Sequence, residues 1–164
     1  MDSIDKFNKL SKAEFISIFG NIFEKTEWIA EKCYELKPYN NLDEFVSKMM
    51  KIFENIEKER HLEILNSHPD LTVEKKLTKD SKNEQKNASL NQCTDEEFLE
   101  FKKLNEEYKK KFGFPFIVAV KGKNKEEILN SFRQRITNNI NLEFEEAKKQ
   151  VKKIASFRLS EIIK

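Results

Sequence analysis

The sequence predicts an all-α fold: one compact multi-helix domain over residues 1–164, with a single short extended segment at about 114–120. Three observations carry this expectation. Helix starts are marked by pairs in which a short polar side chain stands three residues before an acid, as in Ser11 with Glu14, Thr94 with Glu97 and Asn124 with Glu127. Behind each start the apolar residues recur with the 3.6-residue helical period. The 14 phenylalanines lie mostly on those stripes, which favours helices packed on helices around an aromatic core. A chain of 164 residues can bury roughly two-thirds of its unfolded surface, enough for one core. No repeat, low-complexity tract or Pro/Gly-rich linker divides it, so no domain boundary is expected.

Taken in order, the run after Ser11 is Phe15, Ile18, Phe19, Ile22 and Phe23. A second helix is expected at about 26–36, and a longer one at 42–66 with a break near Glu57. Residues 72–82 are polar and charged and read as a surface loop. A short helix follows at about 81–91. After Thr94 the stripe is Phe98, Phe101, Leu104, Tyr108 and Phe112; after Asn124 it is Ile128, Leu129, Phe132 and Ile136. The last helix is expected over 139–163. On its wheel Ile140, Phe144, Ala147, Val151, Ile154, Arg158 and Ile162 fall within one narrow arc. Between these helices, Gly113 breaks the chain and Pro115 forces Phe114 extended, which makes 114–120 the one strand-like run.

Composition excludes several functions. The 31 Lys and Arg residues against 29 Asp and Glu leave a net charge of only +2, and the lysine pairs alternate with acids as solvated helix faces do, so no nucleic-acid partner is expected. Three glycines cannot build a phosphate-cradling loop. Cys33 and Cys93 are far apart without metal-ligand spacing, and His61 and His68 offer no pair on one helix face. No metal and no cofactor are therefore expected, and the cysteines read as free thiols. The N-terminal Met1-Asp2-Ser3-Ile4 has no apolar signal region and no stretch is apolar enough to span a bilayer. The last residues, Ile162-Ile163-Lys164, are not a peroxisomal tripeptide. A cytoplasmic protein with a small-molecule substrate is the expectation; a homodimer is compatible with it.

Some residues are suited to chemistry. His68, followed by Pro69, sits where a helix must end, at a rigid exit that can aim a side chain outward; a histidine titrating near about pH 6.5 suits proton transfer. Packing or capping a helix end is the alternative. His61, in mid-helix, reads as structural or solvated. Glu84 and Gln85 fall in the first turn or so of the 81–91 helix, with Ser81 and Ala88 on the Glu84 face; Glu84 is either a site acid or an exposed acid at a helix N-terminus. Arg158 occupies a core-facing slot, and a buried guanidinium requires an anionic or carbonyl partner. A buried acid such as Glu84 or a bound anion could supply it, or the head could snorkel past Ile162. The backbone of Phe112-Gly113-Phe114-Pro115-Phe116-Ile117 has groups without helical partners, which pair with other backbone or read the edge of a planar ligand.

These segments together resemble the 2-oxo-4-hydroxy-4-carboxy-5-ureidoimidazoline (OHCU) decarboxylases of urate breakdown. The likeness covers nearly the whole chain: Ala13-Glu14-Phe15, Phe23-Glu24, Trp28-Ile29-Ala30-Glu31, His68-Pro69-Asp70-Leu71, Leu77-Thr78, Ser81-x-x-Glu84-Gln85, Leu104-Asn105-x-x-Tyr108, Phe112 to Phe116, Arg135-Ile136-x-Asn138 and Ile154-x-x-x-Arg158-Leu159. Departures are Thr72-Val73 and Ala88-Ser89-Leu90, where the family usually has Ala-Gly and Ala-Gly-Leu, and a loop between His68 and Ser81 that looks shortened. The resemblance implies a cofactor-independent decarboxylase forming (S)-allantoin. It implies His68 and Glu84 in proton transfer, with Pro69, Ser81, Gln85, Arg158 and the backbone of Phe116 and Ile117 binding substrate. The competing reading is a non-catalytic helical module that keeps the fold for binding or scaffolding.

Overall fold

The computed structural model describes residues 4–71, 79–88, 90 and 93–163. The expectations that touch Thr72-Val73, Leu77-Thr78 and Ser89 lie outside the described residues. The helices are α1 (Ile4–Asn8), α2 (Lys12–Phe19), α3 (Glu27–Glu35), α4 (Leu42–Glu54), α5 (Lys58–Ser67), α6 (Lys79–Asn87), α7 (Asp95–Phe112), α8 (Lys125–Arg135) and α9 (Ile140–Ile163). No strand occurs among the described residues. The all-α class is as expected.

The predicted starts of α2, α7 and α8 are full capping boxes. Ser11, Thr94 and Asn124 each accept from the backbone N–H three residues on, while Glu14, Glu97 and Glu127 accept from the cap's own N–H. Each box satisfies two of the N–H groups a helix end leaves open. The acid is stabilised as its ionised form in return: the Ser11 and Thr94 amides hold Glu14 and Glu97 below the usual carboxylate range. The break expected near Glu57 separates α4 from α5. Gly113 closes α7 in the left-handed region at φ 81°, which glycine reaches without strain.

Two compact units are resolved by their internal contacts, one of Met1–Ile64 with Ile154–Lys164 and one of Leu65–Lys153. In the first, Phe7, Phe15, Phe19 and Phe45 form a cluster of edge-to-face and tilted contacts, and Phe23 stacks on Phe53 at 4.8 Å between centroids. His61 is buried there, its Nε2 2.7 Å from the Phe53 carbonyl, so the structural reading of this histidine holds. In the second unit Phe116 lies flat on Phe132 at 3.9 Å, and Tyr108 meets Phe112, Phe114, Phe116 and Phe132.

Local periodicity overstated the stripes at some positions. Ile18 and Phe98 are each more than a third exposed and Ile140, central on its predicted arc, is half exposed. Ile140 opens α9, and a helix's first turn can run past the core its later turns pack against. The 72–82 loop also needs correction at its end: residues 79–82 are already helical, with Asp80 as an acid in the first turn, where the helix dipole favours it. Glu84 and Gln85 consequently sit in the second turn of α6 rather than the first.

Both cysteines are free. Cys33 is fully buried and burial pushes its thiol up to about 12, so the reactive thiolate is suppressed at neutral pH. Iodoacetamide on the native protein should label the partly exposed Cys93 and leave Cys33 unmodified until denaturant is added; mass spectrometry showing Cys33 labelled in the native state would contradict its burial.

Candidate functional site

In the second unit, α5 ends at Ser67 and the chain passes through His68, Pro69, Asp70 and Leu71. His68 is buried, as are Asp70 and Leu71, while Pro69 is half-buried. His68 keeps a turn-like bond to the helix, its N–H 3.3 Å from the Leu65 carbonyl. Proline ends the helix there because it has no N–H and crowds the preceding turn.

The segment is then tied down from two helices. From α7, the Asn105 side chain donates to the Leu71 carbonyl at 3.0 Å and the Lys109 ammonium pairs with Asp70 Oδ2 at 2.7 Å. From α6, Gln85 Nε2 lies 3.4 Å from the Asp70 carbonyl. Asn105 and Lys109 are four apart on α7 and so share one face. Asp70 is almost fully buried, so its pairing with a half-exposed lysine is a partly desolvated, charge-assisted bond rather than a loose surface pair. The histidine is thus the outlet of a pinned turn, a geometry that limits where its ring can go.

Helix α6 presents Ser81 buried, and Glu84 and Gln85 half-buried on the following turn. The Gln85 contact brings α6 against the His68–Leu71 turn, so Ser81, Glu84 and Gln85 belong to an element packed on the segment that carries His68.

Residues 114–120 form neither helix nor strand. Buried side chains take two of their polar groups: Arg135 Nη1 donates to the Ile117 carbonyl at 2.6 Å, and Gln150 Oε1 accepts from the Ala119 N–H at 2.9 Å. For these two groups the partner is a side chain, which the sequence reading did not consider. Phe116 and Ile117 are themselves buried. Arg135 reaches Ile117 because Glu143 holds it: Nε and Nη2 donate to the Glu143 carboxylate at 2.9–3.1 Å, and Tyr108 and Asn138 donate to the same carboxylate. Burial and the bond to Glu143 push the Tyr108 phenol well above its ordinary value, so it stays a donor.

In the first unit Arg158 is buried, as its helical phase predicts. A buried acid does face it, Glu24: Arg158 Nη1 lies 3.0 Å from Glu24 Oε1 and donates to the Asn21 carbonyl at 2.7 Å. Glu24 is fully buried, so each charge compensates the other. The same unit has a groove of about 770 Å³ whose lining includes Trp28, Lys32, Lys48, Lys51 and Arg60; none of the residues expected to bind substrate lines it.

The residues that sequence reasoning missed are those that hold others in place. Asn105 and Arg135 were visible only as members of motifs, with no role attached. Glu143 stands about 40° from Ala147 on the α9 wheel, at the edge of the buried arc, a signal that was available. Glu24 lies outside any helix and offered no periodicity. Among the described residues no group of three or more His, Cys, Asp and Glu side chains could hold a metal ion, and no helix is long and apolar enough to cross a membrane.

Comparison with known proteins adds a history to this geometry. The family model described as OHCU decarboxylase matches residues 8–160. A 2-oxo-4-hydroxy-4-carboxy-5-ureidoimidazoline decarboxylase of Haloferax volcanii is 34% identical over 159 residues, covering 97% of this chain and 95% of that protein. A uric acid degradation bifunctional protein of Bacillus sp. (strain TB-90) is 40% identical over the whole chain. The chain spans about a third of the length of that protein and of its Bacillus subtilis counterpart. Among solved structures, an (S)-allantoin synthase superposes with a TM-score of 0.80 at 28% identity, covering 99% of this chain and 54% of that one. An OHCU decarboxylase crystallised in the presence of (S)-allantoin gives 0.71 at 25% identity, covering 83% and 90%.

Proposed function

Since the chain belongs to the OHCU decarboxylase family of uric acid degradation, whose members are decarboxylating lyases, we propose that residues 1–164 act as one domain that decarboxylates OHCU to (S)-allantoin without a cofactor. The observation that carries the reading is the pinned turn: a buried histidine, at a helix exit tied by Asn105, Lys109 and Gln85, beside a helix bearing Ser81 and Glu84. A scaffold gains nothing from fixing a proton-transfer residue so firmly.

In this reading the substrate carries a carboxylate and a hydroxyl on one ring carbon, next to a C=N bond. Cleavage of the bond to the carboxylate releases CO₂ and passes the electron pair into the neighbouring imine. The nitrogen that received the pair is protonated, and the enol-like intermediate takes up a proton on one face of the adjacent, ureido-bearing carbon while the hydroxyl gives up its own and becomes a carbonyl, a net uptake of one proton. The imine is the electron sink, so metal or pyridoxal chemistry is not needed. His68 and Glu84 move that proton, with Glu84 orienting or sharing a proton with His68. Ser81, Gln85 and the Phe116–Ile117 backbone bind the ring and ureido group, Pro69 packs on its face and Arg158 anchors an anionic or carbonyl group. In this reading the protein works on this small molecule in the cytoplasm, and a homodimer is compatible with it.

The test is to generate the unstable substrate from urate in the cuvette and follow allantoin by circular dichroism. Chelator-treated protein should accelerate (S)-allantoin formation as well as untreated protein. Absence of acceleration refutes the reading in favour of a helical binding module, and recovery of lost activity by zinc or manganese refutes its cofactor-free form.

A further inference from the structure

We propose that Arg135 is a positioning residue, which sets the Phe116–Ile117 backbone for reading the substrate and is itself set by Glu143, Tyr108 and Asn138. The inference rests on the decarboxylase reading, which assigns that backbone to ring and ureido recognition.

One guanidinium touches both residues of the reading segment. Its Nη1 donates to the Ile117 carbonyl, and its Cζ lies 4.5 Å from the centre of the Phe116 ring, within cation–π range. The remaining edge of the same planar group is spent on the Glu143 carboxylate. A fork with donors fixed in one plane can meet a carboxylate and a carbonyl at set angles simultaneously, whereas an ammonium is a point charge without that directional coupling. Gln150 holds the Ala119 N–H two residues further on, so the segment is fixed at two places by side chains. Such anchoring settles which way the intervening peptide groups face. A binding edge made of backbone needs this, since it has no rotamers of its own to adjust.

Stability alone is a poor explanation for this cluster. A buried ion pair can generally be replaced by apolar residues of similar volume with little loss of stability, and the surroundings here are aromatic enough to accept that. What apolar residues cannot do is hold the Ile117 carbonyl. Glu143 is fully buried and accepts from three side chains, Arg135, Tyr108 and Asn138, so the plane of the guanidinium is determined from both of its ends. Arg135 belongs to unit-two elements throughout, as do the backbone it holds and the turn bearing His68.

The deciding variant is Arg135→Lys, which keeps the charge against Glu143. With substrate generated from urate, at a temperature where far-UV circular dichroism shows wild type and variant equally folded, KM should rise on the order of tenfold, the equivalent of one good hydrogen bond. The rate constant kcat should change much less, and the enantiomeric excess of allantoin should fall because the ring is seated less uniquely. A merely structural arginine would lower the melting temperature and leave KM and enantiomeric excess as they were, and that result overturns the inference. If Arg135→Lys does not fold, Tyr108→Phe decides in its place: it removes one bond to Glu143, a raised KM supports the inference and an unchanged KM overturns it. Inactive wild-type protein overturns the decarboxylase reading and takes this inference with it, whereas active wild type with an unaltered variant overturns this inference alone.

Discussion

His68→Ala should lose on the order of 10²–10⁴-fold in enzymatic (S)-allantoin formation, the usual contribution of a general acid or base, while its helical circular dichroism stays that of the wild type. The fold is expected to survive because the turn is held through other atoms. Asp70 answers to Lys109, and the Asp70 and Leu71 carbonyls to Gln85 and Asn105, none of which involves the imidazole. The measurement compares initial rates on substrate generated from urate, corrected for spontaneous decay. Turnover near that of the wild type sinks the assignment. Lost helicity together with lost activity instead returns His68 to a packing role.

Arg158→Met should be the most destabilising single change at a predicted binding residue. Its guanidinium pairs with Glu24, which is fully buried, and removing one partner of a buried ion pair costs about 3–5 kcal/mol because the other loses its opposite charge. For a chain of this length that corresponds to a fall of roughly 6–20 °C in melting temperature. A second substitution, Glu24→Leu, should recover most of the loss when combined with Arg158→Met, since the double variant has no stranded charge. Thermal melts with and without allantoin separate this from substrate anchoring. If Arg158→Met melts like the wild type and allantoin stabilises both equally, the charge was neither paired nor used. Arg158→Lys, by comparison, should fold but bind allantoin more weakly if substrate shares the guanidinium.

What was legible in the sequence is what is decided within a few residues. The capping boxes at Ser11, Thr94 and Asn124 involve side chain and backbone three positions apart, and all three are present as read. Arg158 was seen to be buried because helical phase is a local property of α9. Glu24 was not foreseen as a partner, because it lies far earlier in the chain in a segment without periodicity. The 114–120 segment illustrates the same division. Gly113 and Pro115 announce that the helix stops and the chain extends, but that its polar groups meet Arg135 and Gln150 rather than a strand is decided by tertiary packing. The start of α6 was placed two residues late, since Lys79 and Asp80 carry no capping pair to mark it. Of the site, the residues with chemistry of their own were visible; the holding roles of Asn105, Lys109 and Glu143 were not.

The two units differ in what they can report by light. The sequence has one tryptophan, Trp28, with Arg60 at 4.8 Å and Lys32 at 5.6 Å from its ring, and Tyr34 and Tyr39 belong to the same unit. The other unit has Tyr108 alone among tyrosines, set against Glu143. Emission excited at the red edge of indole absorption is therefore a signal from the Arg158–Glu24 half of the molecule and is blind to the segment carrying His68. Unfolding followed by fluorescence and by far-UV ellipticity will coincide only if both halves melt together, so the native chromophores make an unlabelled test of whether the chain behaves as one cooperative body.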